Sequence, residues 1–144
     1  MAKVNLQLAV RRAMRKRLLA INGIDAGRIQ LPNTVFSRPK TGVWIRESIN
    51  EGSEEAFSNA AARAFAVVNY EVFGAAARGA DEVDAVVEAI RRAMPVIGEQ
   101  SVVYSDNRQC AVIRSIDKPA GGIDSAEPTL YRRLVAVTLD LYNP

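Results

Sequence analysis

The strongest constraint on the fold is the run RAFAVVNYEVF at residues 63–73. It is rich in β-branched and aromatic residues, and neither glycine nor proline interrupts it. On an extended chain Ala64, Ala66, Val68, Tyr70 and Val72 fall on one face, and Phe65, Val67, Asn69, Glu71 and Phe73 on the other. Both faces are substantially apolar, as expected of a central strand covered on both sides at mid-length. Asn69 and Glu71 mark where one face begins to meet water or a partner chain.

The segments around this strand supply two helices and further strands. Over residues 4–22, Leu6, Val10, Met14, Leu18 and Ile21, with Ala13 beside them, recur at the spacing of one helical face, and Gly23 is placed to end the helix. Arg11, Arg12, Arg15, Lys16 and Arg17 crowd its C-terminal half, where the helix dipole favours positive charge. Over residues 80–94 a second stripe of Val83, Val86, Val87, Ile90 and Met94 is opened by Asp81, Glu82 and Asp84, closed by Arg91 and Arg92, and stopped by Pro95. A Glu88 pair with Arg91 or Arg92 adds a few tenths of a kcal/mol, roughly.

Residues 28–31 can form a short strand. Residues 32–42 make a turn-rich connector in which Val35 and Phe36 are expected to plug against the core. Residues 43–49 alternate Val43, Ile45 and Glu47 against Trp44, Arg46 and Ser48. Residues 101–105 and 108–116 are strands joined by Asp106-Asn107, a good two-residue hairpin turn. Residues 117–128 show no periodicity and are expected to be a flexible loop, and residues 129–141 form a long strand placed to pair with the central one. The expected fold is α+β: a mostly antiparallel or mixed sheet of four to six strands, with two amphipathic helices packed on one face. At 144 residues the default is a single domain spanning 1–144.

Composition narrows function mainly by exclusion. With no histidine and Cys110 as the sole cysteine, disulfides within the chain, histidine-based zinc sites and every imidazole-dependent dyad or triad are ruled out. Cys110 is expected to be a small core residue. No phosphate loop, dinucleotide fingerprint or nucleophile elbow occurs, so neither catalytic residues nor a cofactor or metal site are assigned. The three carboxylates opening the second helix lack a convergent fourth ligand. No apolar run is long enough for a leader or a membrane span, which leads to the expectation of a soluble, intracellular protein that makes no membrane contact. The net charge of +3 permits an anionic partner without requiring one.

The order of these pieces carries a family resemblance. A basic amphipathic helix is followed by Asn33-Thr34-Val35-Phe36 with Pro39, then Val43-Trp44-Ile45-Arg46, a polar excursion, and Val67-Val68-Asn69-Tyr70-Glu71-Val72-Phe73, with Gly74 and Gly79 in the turn to the second helix. This resembles the tail terminator-like proteins of long-tailed bacteriophages, by pattern and order over nearly the whole chain. The resemblance implies a structural, non-enzymatic virion protein, made in the host cytoplasm and placed at the head-proximal end of the tail. There it would form a ring, hexameric by analogy, that caps the tail tube and meets the head connector. Its implied partners are further copies of itself, the major tail tube protein and the head connector or neck protein, with DNA passing through the lumen. A neck or head completion protein of the same particle is the near alternative. A small nucleic-acid-binding module using the basic helix is the distant one, because its basic residues lie on one element and its aromatics form no base-stacking motif.

Residues 50–62 connect two long strands and carry Glu51, Glu54 and Glu55. They read either as a solvated acidic loop or as an extended hairpin arm that reaches a neighbouring subunit, with Phe57 as its apolar anchor. The resemblance favours the arm. Ring closure needs complementary patches on opposite sides of a subunit, and the basic helix face at Arg11 and Arg15 is the candidate complement of the acidic segment, on charge alone.

Overall fold

The computed structural model describes residues 6–51, 55–58, 61–78, 80–119 and 121–141. The apolar spacing at the N-terminal end produces helix α1 (Leu6–Leu19). The expected helix ran to residue 22; instead the last turn tightens at Leu18 and Ile21, and Gly23 leaves the helical path at φ 86°. Strand β1 (Ile29–Gln30) pairs in parallel with β2 (Trp44–Glu51), and β2 runs antiparallel to the long strand β4 (Ala61–Ala75). Strand β3 (Glu55–Ser58) folds back onto the start of β4. Helix α2 (Asp81–Ala93) follows, then β5 (Val102–Ser105), β6 (Arg108–Asp117), the short β7 (Gly122–Ile123) and β8 (Leu130–Leu141).

The sheet is mixed and runs β1-β2-β4-β8-β6-β5, with β3 attached to β4 and β7 to β8. These two short additions take it past the four to six strands expected. β4 is interior, paired with β2 along Ala66–Phe73 and with β8 along Ala64–Ala75. Asp106 and Asn107 both take positive φ, 50° and 64°, the mirror-image turn that matches strand twist in a two-residue hairpin.

Register assigns the side chains to two faces. Ile45, Val68, Tyr70, Val72, Val135, Val137, Leu139 and Ile113 are paired neighbours on one of them, all at most 1% exposed. They share one hydrophobic cluster with Val10, Met14 and Leu18 of α1 and with Val83, Val87 and Ile90 of α2. Cys110 is buried in the same cluster, its thiol donating to the Val103 carbonyl at 3.4 Å. Burial pushes that thiol's pKa up and keeps it protonated.

Gly74 was expected to sit in a turn with Gly79. Instead it lies within β4, where a Cβ would come within 2.7 Å of Val83 Cγ2; its role is the close approach of α2 to the strand. Gly79 lies outside the described residues. The loop at 117–128, expected to be flexible, is pinned where Gly122 and Ile123 pair with Arg132 and Tyr131. The connector at 32–42 behaves only partly as expected: Phe36 packs on Trp44, while Val35 is fully exposed at 104%.

Candidate interface surfaces

Five basic side chains on α1 look alike in the sequence, and the fold separates them. Arg15 turns inward to Glu47, with Nη2 and Nε each 3.3 Å from carboxylate oxygens. Glu47 is only 2% exposed because alternation along β2 puts it on the same face as Ile45, beside the register partner Tyr70. The Tyr70 hydroxyl is buried without a hydrogen-bond partner among the described residues, and burial together with the Glu47 charge holds its pKa above the usual phenol range. Arg17 donates to the carbonyls of Ala93, Gln100 and Val102 at 3.3, 2.7 and 2.9 Å, tying the end of α1 to the end of α2 and to the start of β5. Arg11 is half-buried, and its Nε finds no partner among the described residues.

Arg12 and Lys16 are therefore the exposed pair, and among the described residues neither has an ion-pair partner. They sit one turn apart and, with Arg15, Leu19 and Ala20, line a shallow depression on α1. Lys16 and Ala20 also line a groove of about 730 Å³ between α1 and the sheet edge at β5, shared with Ala13, Arg17, Glu99, Gln100, Val102 and Tyr104. Tyr104 is 57% exposed and Ile97, just ahead of this edge, 84%. No described strand pairs with the outer side of β5.

The acidic segment lies elsewhere in the fold. Glu51 is the last residue of β2, Glu55 and Phe57 lie on β3, and Glu54 falls outside the described residues. Ala61, Ala62 and Arg63 of β4 pair with β3 at a point where neither β2 nor β8 accompanies them among the described residues, so this end of the sheet narrows to a two-stranded hairpin. The hairpin belongs to the β2/β4 side of the sheet, with β8 and β6 between β4 and the β5 edge.

The face opposite the main cluster carries a second aromatic centre. Trp44 stacks on its register partner Phe73 at 4.2 Å between ring centroids and an interplanar angle of 10°, and Phe36 leans against Trp44 at 5.6 Å. Arg38 and Arg46 lie over the Trp44 ring at 5.0 and 5.8 Å, and Arg38 is also ion-paired to Glu127. Arg28 holds the end of the connector by donating to the carbonyls of Thr41 and Val43 at 2.9 and 3.1 Å. Elsewhere on this face Val67, Asn69, Leu134, Ala136 and Thr138 are half-buried and Phe65 is 39% exposed.

The inward turn of Arg15 has one sequence signal, the placement of Glu47 among inward residues of β2. Nothing in the sequence pointed to the three carbonyls around Arg17. Among the described residues no group of three or more cysteines and carboxylates is placed to hold a metal ion, and no helix is long and apolar enough to cross a membrane.

The fold defines a class, a small α+β domain built on a mixed sheet with one aromatic-strapped face. Within the solved structures it is similar, at a TM-score of 0.62 and 16% identity, to a chain in the virion of a native gene transfer agent particle, covering 95% of this chain and 96% of that one. It is also similar, at a TM-score of 0.70 and 19% identity, to a solved chain that carries no functional description, with 94% and 95% covered. At these identities the likeness establishes the fold. No protein-family model and no curated protein matches the chain.

Proposed function

We propose that this protein is a structural component of a phage-like virion that closes into a ring, hexameric in the tail terminator manner, at the head-proximal end of a tail. The observation that carries the reading is the end-to-end fold match to a chain of a gene transfer agent virion, in which the two chains cover each other almost completely. Three features of the chain support it. The order of sequence elements resembles the tail terminator-like proteins. Both helices, in this reading, cover one face of the sheet and leave the other face and the β5 edge for neighbours. The acidic segment belongs to the β2/β4 side of the sheet and the open edge of β5 to the other, and head-to-tail closure needs two different patches of this kind.

In this reading the ring caps the tail tube, meets the head connector on its other side and lets DNA pass through its lumen, and the chain performs no catalytic step. Arg11, Arg15, Glu51, Glu54, Glu55 and Phe57 remain interface candidates, with the Arg15 charge already shared with Glu47. The same fold match also supports a neck or head completion protein of the same particle.

The test is the mass in solution by light scattering over a concentration series, with negative-stain imaging of large species, repeated with tail tube protein. A closed ring that stops tube elongation is expected. A strict monomer that never joins tube protein overturns the reading, and a ring that binds only the head connector moves it to the neck.

A further inference from the structure

We propose that Arg17 guards the β5 edge: its guanidinium, reaching over from α1, occupies a backbone acceptor that another strand would need, and so holds the free subunit back from pairing edge to edge with a second copy of this chain. The inference stands apart from the ring reading and does not depend on it.

The edge is a natural template for another chain. β5 lies at one end of the sheet with no described strand beyond it. Residues 100–105, Gln-Ser-Val-Val-Tyr-Ser, contain no charge, no proline and no glycine, and Tyr104 is 57% exposed. An uncharged six-residue segment of this β propensity at an open edge invites strand addition. The opposite edge is blunted in two ways that β5 lacks. β1 there is only two residues long, and just past its pairing with β2 the side chain of Glu47 is a charge turned inward.

Backbone direction places Arg17 on the open side of β5. The Val103 carbonyl faces β6, where it accepts from the Cys110 thiol at 3.4 Å. Carbonyls alternate in direction along a strand, so that of Val102 faces away from β6. Arg17 Nη2 donates to it there at 2.9 Å, while Nη1 donates to the carbonyls of Gln100 and Ala93 at 2.7 and 3.3 Å. An N–H of an incoming strand would have to displace a charge-assisted bond to reach the same acceptor.

Charge makes the guard effective against a second copy in particular. Lys16 and Arg17 line the groove beside Val102 and Tyr104, so two β5 edges brought together would also bring together two sets of these cations. Like charges meeting in this way select against self-pairing. A neighbour that uses this edge in an assembly has to take over the contacts of Arg17.

The experiment compares the full-length parent with Arg17→Met, which keeps an unbranched stem and removes the donors and the charge, and with Arg17→Lys, which keeps the charge on a smaller donor head. Circular dichroism and urea midpoints establish that the variants are folded. Light scattering over a concentration series, without tube protein, gives the mass, and hydrogen exchange by mass spectrometry follows residues 100–106. Arg17→Met is expected to associate beyond the parent's own state at concentrations about tenfold or more lower, as the loss of hydrogen bonds to a charged group implies. Exchange over residues 100–106 should slow in the associated species, and Arg17→Lys should fall between the two. A folded Arg17→Met with the parent's mass profile overturns the proposal, and so does association that leaves exchange over residues 100–106 unchanged. If Arg17→Met does not fold, Arg17→Lys decides by the same two measurements. The ring reading is judged on the mass of the parent alone and the guard on the difference between variant and parent, so each fails without the other.

Discussion

The two faces of the sheet use the same strands for different ends. On the face that joins the main cluster, Val68, Tyr70, Val72, Val137 and Leu139 are all fully buried against one another and against helical side chains. On the opposite face the same strands present Val67, Asn69, Glu71, Leu134 and Thr138, half-buried, and only the Trp44–Phe73 end is closed over, by the connector at Phe36 and Arg38. The first face accounts for stability; the second keeps polar and apolar groups together at a surface. A subunit built for assembly needs both, because a face packed to completion has nothing left to offer a neighbour.

The largest expected effect breaks the comparison directly. Leu139→Ala empties a fully buried site on the clustered face and is expected to cost about 3 kcal/mol in urea unfolding. Leu134→Ala, on the half-buried face of the same strand, is expected to cost about 1 kcal/mol or less. Equal losses at the two positions would mean that the faces do not differ as packing environments.

Next in size is Glu47, a charge buried on the clustered face. Glu47→Ala strands Arg15 beside an apolar core and is expected to cost about 2 kcal/mol, reduced from the value for a fully buried pair because Arg15 keeps 27% of its side chain exposed. Replacing both, Arg15→Met with Glu47→Leu, should recover most of that loss. If the double variant is as unstable as the single one, the pair is holding α1 in register and not merely neutralising charge.

These two cases show why the sequence was legible in some places and silent in others. The alternation in β4 was readable because burial on two sides leaves a period-two trace in residue type, and the Asp106-Asn107 turn was readable because few residues accept two successive positive φ values. The placement of Glu47 on the inward face was readable from β2, yet its partner was not, because Arg15 lies on another element and five neighbouring cations look the same in one dimension. In the sequence Gly74 reads as a turn glycine; the close approach of Val83 that demands it exists only in the packed state. Likewise β7 is two residues held by its neighbour's register, too short to leave a pattern. Val35 defeated the rule that apolar loop residues plug the core, since the plug is Phe36 alone. Charge alone makes the acidic segment and Arg11 and Arg15 the interface candidates, and only the fold distinguishes the outward pair Arg12 and Lys16 from them.

A smaller effect sharpens the account of the strapped end. Arg38→Ala removes a cation over Trp44 and the exposed pair with Glu127, for an expected loss of about 0.5–1 kcal/mol. Because Trp44 is the sole tryptophan and only 3% exposed, acrylamide quenching of its fluorescence reports on the strap directly. Quenching should rise in Arg38→Ala and stay low in Leu134→Ala. No rise would assign the closure of this end to Phe36.

The smallest expected effect concerns pH and lies at the outer side of the clustered face. Glu88 on α2 accepts hydrogen bonds from Arg91 and from Lys118, each at 3.0 Å, and these lower its pKa to about 2 from the ordinary carboxylate value of 4.5. A carboxylate depressed in the folded state binds fewer protons there than in the unfolded chain, so its contribution is fully present above about pH 4.5 and is lost as pH falls through about 2. Urea midpoints should therefore decline across that window more gently in Glu88→Gln than in the parent, while the two proteins keep parallel profiles above it. Because the group is 41% exposed, added salt should shrink the difference. Identical acid profiles would assign the acid sensitivity of this protein to its other carboxylates.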